Sequence, residues 1–164
     1  MLDRLMNVGD ETYKPDLVVY SEHFSAIADS LGVCKFSTPE TYAVMVDDLA
    51  AGLGALGYDL SGQDLLAIGE RIVNLERMYN VRHGLSRRDD VLPRRFTEET
   101  LKAYIYSTDS ATGEVRHTDE PVDSGALIDL QPMLSRYYWL RGWDADGAPT
   151  AATLERLKLD RFTG

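Results

Sequence analysis

One run in this chain puts a carboxylate, a glycine and a thiol within six positions: Asp29-Ser30-Leu31-Gly32-Val33-Cys34. Cys34 is the only cysteine among 164 residues, so no internal disulfide can form and no cysteine-based metal site can be completed by this chain alone. The thiol is a buried small side chain, a reactive group, or one ligand of a site shared with other polypeptide. An apolar period leads into the run, with Val18, Tyr20, Phe24, Ile27, Ala28 and Leu31 at steps of three and four, the spacing of one helix face. Gly32 follows as the residue type that accepts the left-handed backbone closing a helix. Asp29 then falls in the last helical turn and Cys34 just past its end, so both polar groups can face one site. A carboxylate at a helix C-terminus opposes the dipole, and the placement calls for a donor or a cation nearby. The plainest account of these residues alone is a surface aspartate, a capping glycine and a buried inert cysteine.

Other polar groups cluster further on. Glu70, Arg71, Asn74, Glu76, Arg77, Asn80 and Arg82 lie on one helical stretch. They form either a solvated face or a network in which arginine forks meet carboxylates or phosphates. Arg87, Arg88, Arg94 and Arg95 bracket Asp89-Asp90, which suggests internal ion pairs ahead of a phosphate or an acidic partner. His23, His83 and His117 have no ligand spacing with Cys34 or with one another, so each is expected to be satisfied or exposed and not a metal ligand. Tyr137-Tyr138-Trp139 and Trp143 are expected in core or interface packing.

The elements that must position these groups are mostly helices. Residues 1–16, with Gly9 and Pro15, lack a clear period and suggest an irregular lead-in or linker; residues 17–164 read as one helical domain. The first helix begins near Leu17. A second is expected from Thr38-Pro39-Glu40, where threonine caps and proline suits the first turn, to Leu56 before Gly57. The third starts after Ser61, with Asp64 three positions on as in a capping box. It carries Leu65, Ile68, Ile72, Leu75 and Tyr79 at helical spacing to about Val81, the most regular period in the chain. Residues 85–96 lose the period. Tyr104-Ile105-Tyr106 and Glu114-Val115-Arg116 flank Ser110-Ala111-Thr112-Gly113, predicting a short hairpin around 103–117. Asp129 caps a helix to Gly142, Asp144–Gly147 makes a turn, and Thr150 to about Leu157 forms a last helix. The class is mainly α.

Composition bounds the function. A 44% hydrophobic and 27% charged chain of this length can bury a core without staples. No apolar run approaches a membrane span, and Met1-Leu2-Asp3-Arg4 is followed by polar and acidic residues, not by the apolar stretch of a secretory signal. A cytoplasmic protein is expected. With 17 Lys plus Arg against 27 Asp plus Glu, the formal charge of -10 argues against nucleic acid as a partner.

Taken in order, the segments resemble those of one family. Asp29-Ser30-Leu31-Gly32-Val33-Cys34-Lys35-Phe36 resembles the second Asp-x-x-Gly-x-Cys motif of the aldehyde:ferredoxin oxidoreductases. The stretch from Ile68 to Asn80 resembles the long helix that follows it there. Asp89-Asp90-Val91-Leu92-Pro93-Arg94-Arg95-Phe96 is similar to the next block, and Tyr137-Tyr138 with Arg141-Gly142-Trp143-Asp144 to the near-terminal one. The order agrees over about residues 17–159, while residues 101–126 fit less well, as an insertion would.

The resemblance implies a tungsten, or molybdenum, atom held by two pterin dithiolenes beside a [4Fe-4S] cluster. Aldehyde is oxidised to carboxylate there and electrons pass to ferredoxin. Carried over by motif, Cys34 is a cluster ligand, Asp29 hydrogen-bonds a pterin, and the main chain at Val33 touches the cofactor. Clusters of this type take four thiolates, and the family's other three lie in a Cys-x-x-Cys-x-x-x-Cys motif upstream. That domain, the N-terminal pterin domain, and the acid and histidine of the catalytic pocket have no counterpart in this chain. No catalytic residue is therefore expected here, no cofactor is expected on the isolated chain, and the chain alone is expected to be inactive. Its apolar surface would face the missing domains or be covered by self-association. A stand-alone helical scaffold derived from this domain is the rival reading.

Overall fold

In a computed structural model, residues 11–100, 102–123 and 127–162 are described. Helix α1 (Lys14–Leu31) lies along α3 (Gly62–Arg82), and this pair frames the molecule's longest elements. The first helix starts three residues before Leu17 because Pro15 occupies the first turn, where its missing N–H costs nothing and its fixed φ is already helical. The rest of the expected lead-in, residues 1–10, lies outside the described residues.

The two helices meet at Gly69. A Cβ there would stand 2.3 Å from the carbonyl oxygen of His23, so only glycine admits the backbone of α1 at this distance. Above and below that contact, Ile27 of α1 and Leu65 of α3 pack with Ala50 of α2 (Val46–Gly54), flanked by Leu53, Ile68 and Ile72. Phe24 is fully buried and sits 6.4 Å, centroid to centroid, from Tyr42. Burying such a side chain stabilises the fold by about 1.5–3 kcal/mol.

Helix α2 is shorter than the sequence suggests. Thr38, expected to cap it, is fully buried and turns its hydroxyl back to the Cys34 carbonyl at 3.1 Å. Tyr42 then takes a left-handed φ of 52°, which a right-handed helix cannot pass through. The helix begins only at Val46, where the Asp48 carboxylate accepts the Met45 N–H at 2.8 Å. Helix α3 keeps its predicted start, with Ser61 and Asp64 bonded in both directions.

Residues 91–131 form a compact unit of their own. It holds a short α4 (Arg94–Glu98) and a two-stranded ribbon. The expected hairpin is present as β2 (Tyr106–Thr108) against β3 (Val115–His117), antiparallel, with Tyr106 opposite His117. The ribbon continues as β1 (Lys102–Ala103) against β4 (Val122–Asp123). Two residues separate β1 from β2 and four separate β3 from β4, so the register shifts between the pairs, and Thr118 bridges the break through its bonds to Ile105.

Among the described residues the remaining unit, within 11–90 and 132–162, is completed by α5 (Leu130–Arg141) from Pro132 on and by α6 (Ala151–Arg156). Thr150 caps α6, and Leu154, Leu157 and Leu159 close a second small core against Met78. Among the described residues no helix is long and apolar enough to cross a membrane.

Candidate functional site

The end of α1 is built as a two-bond turn. Gly32 has φ 69°; its N–H donates to Asp29 at 3.2 Å, and the Val33 N–H donates to Ala28 at 2.9 Å. This is the Schellman pattern, which satisfies the last helical carbonyls and stops the helix sharply. The chain leaves in extended conformation at Cys34 (φ -63°, ψ 123°) and enters a 3-10 turn at Lys35–Ser37.

Cys34 is exposed and free. Its carbonyl accepts three bonds, from the Ser37 N–H at 3.1 Å, the Ser37 hydroxyl at 2.8 Å and Thr38 Oγ1 at 3.1 Å. The thiol is therefore presented from a backbone that is held on both sides, and the reading of Cys34 as a buried inert side chain does not hold. Asp29 is also exposed, and the cation that its position demands is Lys35, whose Nζ lies 2.8 Å from the carboxylate. Lys35 was the missing partner in the sequence; its offset of six residues pairs the two only because the Gly32 turn reverses the chain. Val33 is half-buried. Its N–H is spent on Ala28, and among the described residues no backbone N–H donates to its carbonyl. Asp29, Val33 and Cys34 thus share one end of α1.

A second polar constellation lies under the first helix pair. The sequence left open a solvated face or a network on α3, and the structure divides the residues between the two. Asn74 is fully buried: its amide donates to the Glu70 carbonyl at 3.0 Å and its oxygen accepts from Trp143 Nε1 at 2.8 Å. Arg77 is buried and reaches Asp90 and Gly147. Leu75 and Tyr79, which continue the apolar period of Leu65, Ile68 and Ile72, are 42% and 64% exposed, because the helix turns its Asn74–Arg77 side toward Trp143. Glu70 pairs with Arg156 at 2.6 Å.

Trp143 has two guanidinium groups near its ring, Arg77 at 4.7 Å and Arg141 at 5.9 Å from its centroid. Arg141 has a fully buried side chain that donates to the Glu22 carboxylate and contacts the ring nitrogen of His23, while Tyr137 donates to the same carboxylate at 2.8 Å. Burial pushes Arg141 down to about 10, which leaves it charged at neutral pH. Burial likewise lowers His23, with Glu70 opposing and Arg156 assisting; a neutral ring can accept from the guanidinium. Burial raises Tyr138 to about 12, and its bond to Asp90 adds to the effect.

The charged loop forms internal ion pairs, as expected, though most of them reach beyond Asp89-Asp90. Arg88 does meet Asp89, at 3.6 Å, but Arg94 and Arg95 pair with Glu98 and Glu99 one helical turn on, and Asp90 goes to Arg77. Helical i,i+4 spacing in α4 decides the first two. His83 packs against Tyr79 with ring centroids 4.3 Å apart, and His117 packs against both Tyr104 and Tyr106. Among the described residues no three potential ligands gather for a metal ion. Of the aromatics, Tyr138 and Trp143 are core, whereas Trp139 is 69% exposed.

Residues 2–159 match the family model described as aldehyde ferredoxin oxidoreductase, domains 2 and 3. Tungsten-containing aldehyde ferredoxin oxidoreductases from Pyrococcus furiosus and Pyrococcus horikoshii are 36% and 35% identical to this chain over 158 residues, and that from Thermococcus kodakarensis is 35% identical. Each alignment covers 95% of this chain and 22% of the relative, so the chain spans about a fifth of the length of the curated relatives it matches. Among solved structures the fold is similar to a chain of the active site complex BamBC of benzoyl coenzyme A reductase in complex with 1,5 dienoyl-CoA. The TM-score is 0.62 and the identity 23%, over 96% of this chain and 21% of that one. With its length matched almost end to end by that family model, and with close relatives bearing the same description, this chain belongs to the aldehyde ferredoxin oxidoreductase family.

Proposed function

We propose that the chain acts as the C-terminal part of a tungstopterin iron–sulfur oxidoreductase that converts aldehydes to carboxylic acids with ferredoxin as electron acceptor. Its own contribution is Cys34 as one thiolate ligand of a [4Fe-4S] cluster, Asp29 as a hydrogen-bond anchor for a pterin, and the Val33 carbonyl as a further contact. The observation that carries this reading is the turn at Gly32, which ends α1 so that the free, exposed Cys34 follows Asp29 at the same helix end.

The residues fit such a group. A cluster ligand shared between domains is best presented as a surface thiol on restrained backbone; Cys34 is exposed, and its carbonyl accepts three hydrogen bonds. When bound, the pair of cofactors supplies metal-centred oxidation of the aldehyde and one-electron delivery to the acceptor. This chain's residues orient and hold. Asp29 accepts hydrogen bonds, Lys35 restrains the Asp29 carboxylate, and the Ser37 and Thr38 hydroxyls lock the carbonyl behind the thiol. With one thiolate and no catalytic acid or histidine of the family's pocket, the isolated chain is inactive.

The test is co-expression of this chain with the family's pterin and Cys-x-x-Cys domains, followed by iron and tungsten analysis and aldehyde-dependent dye reduction. Cys34→Ala is expected to lower cluster iron and abolish activity. Unchanged iron and activity would defeat the assignment.

A further inference from the structure

The ribbon of β2 and β3 has no core of its own. Every side chain from Tyr104 to His117 is exposed, Tyr106 and Val115 by 66% and 62%. A two-stranded ribbon is at best marginally stable in water, and further strands or a packed face are what complete it. Its two faces differ. Residues opposite each other across the strands share a face, so Tyr106, His117, Thr108 and Val115 lie on one side, and Tyr104 joins them through its ring contact with His117 at 5.5 Å. Ser107, Arg116 and Glu114 lie on the other, where Arg116 reaches Glu114 at 2.9 Å. The Asp109 N–H donates to Glu114 at 2.9 Å and the Thr118 N–H to Ile105 at 3.1 Å, so the bonded positions of β3 alternate through Glu114, Arg116 and Thr118. The main-chain groups of Val115 and His117 therefore point away from β2, as a free edge that another strand can join.

We propose that β3 joins two copies of this chain, its free edge pairing antiparallel with the same edge of a partner about a two-fold axis at Val115. Charge selects both the occupant and the register. Of the three axes that the Glu114–Arg116 segment allows, one at Glu114 or at Arg116 sets like charges opposite each other. The axis at Val115 sets Arg116 against the partner's Glu114 and Glu114 against the partner's Arg116, and opposite charges across strands stabilise where like charges destabilise. Glu-Val-Arg at 114–116 is thus its own complement when reversed, which is what a two-fold contact requires. The same axis brings the outward main-chain groups of Val115 onto those of the partner's Val115, and the two ribbons become one four-stranded sheet. Val115 then meets the partner's Val115 on the face that carries Tyr106 and His117, so apolar surface is covered at the same step. The formal charge of -10 opposes this only at long range, being screened beyond about 8–10 Å in physiological salt, whereas the four charges at the axis are in contact. The pairing does not depend on the role of Cys34.

The test is disulfide trapping in the protein made in its native cell. With the axis at Val115 the two Val115 Cα atoms stand about 5.5 Å apart, within reach of a disulfide, and the two Arg116 Cα atoms about 8 Å apart, beyond it. On mild oxidation Val115→Cys is expected to give a dimer, identified by mass spectrometry as a link between two copies of one peptide, and Arg116→Cys about tenfold less of it. Glu114→Lys and Arg116→Glu, each added to Val115→Cys, are each expected to cut the dimer about tenfold, because each sets like charges opposite each other twice. Mixing those two variants is expected to restore it as a link between unlike chains. The Arg116–Glu114 pair within each chain stays broken in the mixture, so the recovery reports the contact between copies alone. A Val115→Cys protein that gives no dimer, as when another protein or another part of the enzyme covers the ribbon, overturns the proposal. So does an Arg116→Cys dimer of equal yield, or a mixture that links no better than its components.

Discussion

Arg77 closes a two-point ion pair on Asp90, with Nη1 donating to Oδ1 at 3.0 Å and Nη2 to Oδ2 at 2.6 Å, while its Nε donates to the Gly147 carbonyl at 2.7 Å. One buried side chain on α3 thus holds the loop after Arg87–Asp89 and the turn after α5. Breaking a fully buried pair typically costs about 3–5 kcal/mol. Asp90 is partly exposed and keeps its bond from Tyr138, so Arg77→Met is expected to destabilise the protein by about 2–4 kcal/mol in urea unfolding. A loss below about 1 kcal/mol would show that the pair is not what holds these segments.

The same pair predicts an acid limb. Burial works to raise Asp90, but the bonds from Arg77 and Tyr138 overcome it and hold the carboxyl below its ordinary value of 3.8. A carboxyl depressed in the folded state binds fewer protons there than in the unfolded chain, so its stabilisation is present above about pH 4 and lost as pH falls through the folded value. Asp90→Asn is expected to flatten the fall in stability below pH 4, measured as the urea midpoint against pH. An unchanged slope would place the acid sensitivity elsewhere.

His23 predicts a second pH effect, at a higher window. Burial lowers its value below 6.5, so the unfolded chain takes up a proton before the folded one does. Stability is then constant above about pH 6.5 and declines as pH drops toward the folded value, where a protonated ring would confront Arg141. His23→Gln is expected to remove the decline that begins below about pH 6.5 in thermal melts, leaving the lower limb of Asp90 in place.

Gly69→Ala should separate α1 from α3. The added Cβ falls 2.3 Å from backbone that cannot rotate away, and such overpacking costs about 1–3 kcal/mol. Gly32→Ala strains the left-handed turn instead, where space is open. Denaturant unfolding of both variants, with Cys34 reactivity toward a thiol reagent as a second readout, separates the two. Gly69→Ala is expected to lower stability with little change at the thiol, and Gly32→Ala to alter the thiol's rate as well.

Asp29→Asn separates structure from function. The Asp29–Lys35 pair is exposed on both sides, 60% and 44%, and surface pairs of this kind contribute about 0–1 kcal/mol. The variant is expected to fold with an unchanged melting temperature but to retain less tungsten in the assembled enzyme. Full metal content would remove Asp29 from the pterin contacts.

Much of this was legible in the chain. The period in Phe24, Ile27 and Ala28 marked the buried face of α1, and Ser61 with Asp64 marked the start of α3, because both signals are local and act within one or two turns. The resemblance carried by Asp29, Gly32 and Cys34 pointed to the family that the comparisons establish. Thr38 misled for the same reason that Ser61 did not. A cap signal depends only on the next few N–H groups, but Thr38 is taken by the Cys34 carbonyl behind it and is fully buried. Asn74 and Arg77 look like solvated residues on a helix until Trp143, about 70 residues on, arrives to be bonded.

By itself, the sequence determined the helical class, the helix-ending turn before Cys34 and the family, since these follow from hydrophobic period, glycine conformation and motif order. Only the tertiary structure decided that the thiol is exposed and that Lys35 answers Asp29. It also decided that Arg77 and Arg141 are buried close to Trp143 and that the outer face of α1 is a groove. Lys35 and Asp29 meet only because the Gly32 turn reverses the chain, and the meeting of α3 with Trp143, more than 60 residues on, leaves no local pattern to read.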